Sequence, residues 1–362
     1  MSVMTGVHCA VATEDVAARL RRVVACHFDP AGGSRFWLDR QAQLGIDARR
    51  QITEIADLAM LGEMSADDLS RRPLADYVPV RFHDRLDRFV LGQTGGTTGS
   101  GTWTAYREDE FDEAFVRPFV VAARRLRFPE AESWLYVGPG GPHIIGKAAR
   151  CLARAMGGAD PFSVDFDARW AKRLPPGSFA ARRYLEHVLE QALDVIGRQR
   201  IGVLFTTPVV LAGLAGAMTH AQRDRIRGVH YGGLAIDPEQ MREFQERWFP
   251  NAVHVSGYGN TLFGCCLELD ASVGRLLDYY PFGNRLLLEV VDDEGNSLAV
   301  GQTGRVRFTR LDESMLIVRF RERDRAALVP PRYDAPEGYG LPGVRNPEPD
   351  LLAGIRPAVG LY

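Results

Sequence analysis

From Glu14 to about Leu91, apolar residues recur three and four positions apart, most clearly over residues 16–24 and 52–61. This spacing predicts a mostly helical N-terminal part. After Trp134 the texture changes, and short β-rich runs alternate with helical segments. Residues 134–137 predict a strand, and residues 144–156 a helix closed by Gly157 and Gly158. A long amphipathic helix is expected over 178–200, then a buried strand at 201–205 and a helix over 209–218 after Pro208. A strand at 227–231, a helix at 238–248 and a strand at 252–255 complete the run. Strands and helices in this order imply βαβ crossovers, a mainly parallel sheet and an α/β fold class. Beyond residue 265 the helical signal fades, and 285–291, 297–300 and 304–311 predict antiparallel strands of a small β subdomain, with a turn at 293–295. From Pro330 onwards Pro and Gly crowd the chain, which predicts an irregular tail packed on the core. The expected divisions are a helical part (1–90), an α/β core (91–265), a β subdomain (266–329) and the tail (330–362).

Composition adds mainly exclusions. At 362 residues the chain can bury a large core. Its 46% hydrophobic and 25% charged residues are those of a globular protein. Forty-four Lys and Arg against 46 Asp and Glu leave a formal charge of -2. Neither nucleic acid nor an anionic membrane is therefore an expected partner. Cys9, Cys26, Cys151, Cys265 and Cys266 form no CxxC pair and no zinc-type cluster, so reduced thiols are expected. No apolar run reaches the ~20 residues needed to span a bilayer. The charges of Glu14, Asp15, Arg19, Arg21 and Arg22 break up any signal-peptide core, and a cytoplasmic location is expected.

Three glycine-rich segments carry candidate chemistry. Gln93-Thr94-Gly95-Gly96-Thr97-Thr98-Gly99-Ser100-Gly101-Thr102 mixes glycines with hydroxyls directly after an apolar run. Glycine lets backbone N–H groups approach an anion, and hydroxyls add donors, so the composition suits a phosphate chain. It is not a Walker A loop, since no Lys follows Gly101, and a flexible turn would share the composition. Ser256-Gly257-Tyr258-Gly259-Asn260-Thr261 leaves a predicted strand at the end where open α/β sheets bind ligands. Tyr258 could lay its ring on a flat base there, and Thr261 could donate to a phosphate; a strand-ending turn with a half-buried tyrosine is the plainer reading. Gly232-Gly233 ends another predicted strand and gives a third point of close approach.

Together these segments resemble, in this order, the adenylate-forming superfamily of acyl-CoA ligases, adenylation domains and luciferases, nearest to its phenylacetate-CoA ligase-like branch. Residues 94–102 look like that branch's phosphate loop, with Gly101 where Pro is usual. Gly232-Gly233 resembles the segment beside the adenine, with Leu234 in place of Glu. Residues 257–261 are similar to the Tyr-Gly-x-Thr-Glu motif, whose ring stacks on adenine and whose Thr meets the α-phosphate. Pro208 matches a Thr-Pro turn. Residues 317–324 look like Ile-Arg-Tyr-Arg-Thr-Gly-Asp, whose last Asp binds the ribose. The resemblance covers about residues 90 to 325.

It implies a large adenylating-enzyme N-terminal domain that uses ATP, as Mg-ATP, to activate a carboxylic acid. The implied nucleotide-binding residues are Thr94, Gly95, Gly96, Thr97, Thr98, Gly99, Gly232, Gly233, Tyr258, Gly259, Thr261 and Asp324, with Thr261 also catalytic. His143, at the start of a predicted helix after Gly138-Pro139-Gly140-Gly141-Pro142, falls where this branch builds its acyl pocket; it could donate to a carboxylate, and a structural histidine fits equally well. Leu262 stands where the family has its magnesium-binding Glu, so no protein metal ligand is expected there. The chain ends at Tyr362, soon after Asp324, which leaves no room for the family's mobile C-terminal domain and its Lys.

The expected activity is formation of an acyl-AMP from an aromatic acid in an antibiotic-type pathway. The nearest resemblance among short relatives is to adenylating proteins of the D-alanylgriseoluteic acid (phenazine) pathway. The implied partners are a small-molecule acid, an acceptor protein or downstream enzyme, and a second copy in a homodimer. Two alternatives remain: a catalytically impaired nucleotide-binding protein of the same fold, and an acyl-transfer subunit of a larger complex.

Overall fold

A computed structural model of the chain describes residues 15–94, 101–234, 236–270 and 276–350. A hairpin of β1 (Phe89–Gln93) and β2 (Trp103–Arg107) stands apart from one large sheet. That sheet contains β3 (Trp134–Gly138), β4 (Phe162–Asp165), β5 (Val203–Thr206), β6 (Gly228–Tyr231) and β7 (Val253–Asn260). It continues with β8 (Gly264–Glu268), β9 (Asp278–Tyr280), β10 (Leu286–Val291), β11 (Thr303–Leu311), β12 (Leu316–Val329) and β13 (Gly343–Pro349). The spatial order is β10-β11-β12-β13-β9-β8-β7-β6-β5-β3-β4.

From β4 to β7 all neighbours are parallel, and from β7 to β10 all are antiparallel. β7 is the hinge of this plan. Its first half pairs in parallel with β6 up to Tyr231↔Ser256, and its second half, Gly257–Asn260, pairs antiparallel with β8. The predicted helices and parallel strands lie within a few residues of the expected positions. Ser178 caps Phe179–Arg198 by accepting from the Ala181 N–H at 3.1 Å. Pro208 and Pro238 occupy first helical turns, where a missing N–H is harmless. Gly157, at φ +80°, ends Ile144–Ala155.

Both faces of the parallel strands are covered, as such strands require. Leu135, Val137 and Leu204 pack into one apolar core, while Trp134, Tyr136 and Phe205 alternate into the other. The first core also takes in the N-terminal helices through Leu20, Val24 and Trp37.

Two expectations need correction. Residues 297–300 form a connection with a single bridge, Val291↔Ser297, because the turn between β10 and β11 returns before a ladder can build. The segment after Pro330, read as irregular, includes β13, which lies between β12 and β9. Its pairing with β9 is limited to Val344 and Arg345, so Pro347 and Pro349 fall beyond the two-sided part of the ladder, where a missing donor costs little.

Candidate nucleotide and acid site

Gly232-Gly233 leaves the carboxyl end of β6, residues 256–261 form the second half and end of β7, and the Gly/Thr segment joins β1 to β2. Gly232 follows β6 and donates to the Thr206 carbonyl at 3.2 Å, and Gly233 takes φ +82° to turn the chain away. A Cβ on Gly232 would lie 2.9 Å from Phe205 Cε2, so only glycine fits without displacement. β7 runs on past this turn and carries Tyr258, Asn260 and Thr261 beyond the end of β6.

Tyr258 and Asp324 come together here. The Tyr258 hydroxyl donates to Asp324 Oδ2 at 3.0 Å, joining motifs that lie far apart in sequence. Two residues along, Asn260 Nδ2 donates to Glu322 Oε1 at 2.6 Å. β7 and β12 are thus tied by two rungs of side chains. Burial raises Asp324 above the usual carboxylate range, with the Tyr258 bond acting against it. Burial, then repulsion from Asp324, pushes Glu322 up to about 7. Burial and the same two carboxylates push the Tyr258 hydroxyl well up, so it remains a donor at neutral pH.

The turn after Asn260 is clamped from every side. Asn260 Oδ1 accepts from the N–H groups of Leu262 at 2.8 Å and Phe263 at 3.2 Å. Tyr106 Oη donates to the Thr261 carbonyl at 2.9 Å, Arg310 to that of Leu262 at 2.9 Å and Arg285 to that of Phe263 at 2.6 Å. Both arginines are buried and share Asp312, whose carboxyl they hold well below its usual range against the cost of burial. Arg310 also bonds Thr104 Oγ1 and the Ala105 carbonyl of β2, so one buried cation fixes the turn and the hairpin together.

The hairpin that carries the Gly/Thr segment approaches this turn through Gly92. A Cβ there would lie 2.9 Å from Thr261 Cγ2 and 2.8 Å from Ile144 Cδ1. Gln93 N–H donates to the Pro142 carbonyl at 2.8 Å, and Thr94 pairs with Thr102 across the base of the loop at 2.9 Å in both directions. Gly95, Gly96, Thr97, Thr98 and Gly99 lie outside the described residues.

His143 is buried and occupies the N-cap position of Ile144–Ala155, without a side-chain cap bond. Burial, followed by the nearby Arg169, lowers its pKa, which favours the neutral ring. It lines a cavity of about 350 Å³ with Tyr136, Lys147, Arg150, Ser163 and Asp165 at the ends of β3 and β4. Gly140 must be glycine for this wall, since a Cβ would meet Asp165 Oδ2 at 2.6 Å.

Leu262 is sealed in the apolar core, 5% exposed. Among the described residues no group of three His, Cys, Asp or Glu is arranged to hold a metal ion. Glu268, another buried carboxyl, lies on β8 beside Ser256, where burial pushes it up to about 8. The donor set does not fit a protein-bound magnesium site. Sequence reading passed over Asn260, Glu322, Arg285, Arg310 and Asp312; the one visible signal was Glu322, a carboxylate two residues before Asp324.

No family model matches the chain, and no curated protein does. Among solved structures, the chain is similar to 2-hydroxyisobutyryl-CoA ligase in an open conformation with 2-HIB-AMP and CoA. The TM-score is 0.65 at 15% identity, over 92% of this chain and 72% of that one. The same ligase in its thioesterification state gives a TM-score of 0.60, over 92% of this chain and 66% of that one. At this identity the likeness is one of fold: the α/β architecture is shared with a ligase along nearly the whole chain. No helix among the described residues is long and apolar enough to cross a membrane.

Proposed function

We propose that the protein activates a carboxylic acid with ATP, forming an acyl-AMP and releasing pyrophosphate. The observation that carries this reading is the meeting of Tyr258 with Asp324, beside a turn that holds Thr261 against the hairpin at Gly92. In support of the reading, Tyr258, Asp324 and Thr261, the proposed base-stacking ring, ribose-binding carboxylate and phosphate ligand, come from the end of β7 and from β12, and open α/β folds take ligands at the carboxyl ends of their strands.

In this reading Tyr258 and Gly232-Gly233 border the adenine. Asp324 accepts a ribose hydroxyl on Oδ1 while Oδ2 keeps the Tyr258 bond. Thr261 donates to the α-phosphate, and the segment Thr94, Gly95, Gly96, Thr97, Thr98 and Gly99 cradles the departing phosphates. In-line attack by the carboxylate depends on positioning and charge stabilisation, and the clamped turn supplies the first. Magnesium enters with the substrate as Mg-ATP, and no step is assigned to a protein-bound ion. The cavity beside His143 receives the acid, with the neutral imidazole donating to its carboxylate and Tyr136 providing a flat wall for an aromatic acid. The acyl group then passes to a separate acceptor.

A second reading has a specific observation behind it. Leu262 is built into the core, so the protein could bind nucleotide on the same scaffold without turning it over. Calorimetry with ATP, followed by a pyrophosphate assay over a panel of acids, separates the two. The enzyme gives both signals and the binder only heat; absence of ATP binding excludes both.

A further inference from the structure

The turn that carries Thr261 is held by Asn260, and Asn260 is in turn held by Glu322. Asn260 Oδ1 receives both N–H groups of the turn, which leaves its amide nitrogen as the only donor with which to fix its orientation. That donor goes to Glu322 Oε1 at 2.6 Å. With the neighbouring rung, Tyr258 to Asp324 at 3.0 Å, the pair ties the end of β7 to β12. Glu322 and Asp324 both reach β7, through Asn260 and Tyr258. Burial raises both carboxyls, and Asp324 further disfavours ionisation of Glu322.

We propose that Glu322 is a positioning residue for nucleotide binding, orienting Thr261 through Asn260 and adding a negative charge beside Asp324. The inference rests on the nucleotide reading given above. It has a chemical consequence because burial and Asp324 place Glu322 at about 7, within the physiological range. When the carboxyl is neutral, a single negative charge faces the incoming nucleotide. When it ionises, two do, and an anionic ligand is disfavoured.

Other polar and charged groups surround it. Tyr258 and Asn260 face it from β7, and Arg323 flanks it on β12. Lys172, on the helix Ala168–Arg173, lies close enough to Arg323 for the two cations to repel, after the larger effect of burial. At this end of the sheet Arg305 of β11 is paired with Asp350 at 3.0 Å.

The test compares ATP affinity of the wild-type protein with that of Glu322→Gln and Glu322→Ala from pH 6 to pH 8.5. Taking the ratio of variant to wild type at each pH removes the ligand's own titration. Glu322→Gln keeps an oxygen acceptor for Asn260 and cannot ionise. Its affinity should match wild type at pH 6 and exceed it by about tenfold at pH 8.5, the scale of one added charge a few ångströms from the site. Glu322→Ala loses the acceptor, and its affinity should be lower than that of Glu322→Gln at every pH. A purely structural glutamate would give no pH-dependent ratio. Parallel pH profiles for wild type and Glu322→Gln, or a folded Glu322→Ala that binds as tightly as Glu322→Gln, overturn the proposal while leaving the nucleotide reading intact. Absence of ATP binding by the wild-type protein at every pH overturns both.

Discussion

The hydroxyl of Tyr258 donates to Asp324 Oδ2 at 3.0 Å, so two residues from separate motifs meet. The bond occupies one carboxylate oxygen and leaves Oδ1 for the proposed ribose contact. The two side chains should therefore act as a unit. Tyr258→Ala removes the stacking surface and is expected to weaken ATP about tenfold, since aromatic contacts contribute ~0.5–1.5 kcal/mol beyond the area they bury. Tyr258→Phe, which keeps the ring, should weaken it less. Asp324→Ala should cost more than either, because hydrogen bonds to a charged group contribute about 1.5–3 kcal/mol. The double variant Tyr258→Ala/Asp324→Ala should lose less than the sum of the single losses. Calorimetric titration of wild type and the four variants checks the set, and strict additivity would separate the residues functionally.

Leu262 leads to an expectation opposite to the one a motif comparison suggests. Replacing it with the usual Glu would place a carboxylate in the apolar core, and an uncompensated buried charge costs about 3–5 kcal/mol. Leu262→Glu is expected to lower the unfolding free energy by that amount and to give no gain in pyrophosphate release. Urea unfolding together with a turnover assay checks both points; a stable, more active Leu262→Glu protein would mean that the side chain reaches the site.

A third expectation concerns pH. Burial raises Glu268 from its ordinary value of 4.5 to about 8, so the folded state holds a proton that the unfolded chain has released. This contribution to stability is complete below 4.5 and is lost as the pH rises through 8. Buried His27, His230 and His254 are lowered from 6.5 to about 4 and act in the other direction, with their stabilisation regained once the pH exceeds 6.5. Between pH 6.5 and 8 the carboxyls therefore dominate, and stability should fall by about 2 kcal/mol through Glu268 alone, at 1.36 kcal/mol per pKa unit. Thermal melts of wild type and Glu268→Gln at the two pH values should show a slope that the variant reduces. Equal slopes would remove Glu268 as its source.

The sequence displayed the parallel half of the sheet clearly, because buried parallel strands are short apolar runs and the helices between them carry their own caps. Ser178, Pro208 and Gly157 mark their boundaries through local chemistry alone. The antiparallel half was less legible. β13 depends on pairing with β9, a distant part of the chain, and Pro347 and Pro349 argued locally against a strand that tertiary contacts impose. The same division holds for the site. Tyr258, Gly232 and Asp324 stand out because glycines or a motif flank them. Arg310 and Arg285 look like ordinary strand residues, yet they bond the carbonyls of the turn after Thr261 from below, and only the fold brings them there.

Acid-dependent pyrophosphate release from ATP tests the central claim most directly. Wild-type protein supplied with Mg-ATP and a panel of aromatic and aliphatic carboxylic acids should release pyrophosphate with at least one acid, with an equal amount of acyl-AMP identified by mass and with the signal lost in Asp324→Ala. ATP binding without pyrophosphate release across the whole panel would contradict the enzymatic account and leave a nucleotide-binding protein in its place.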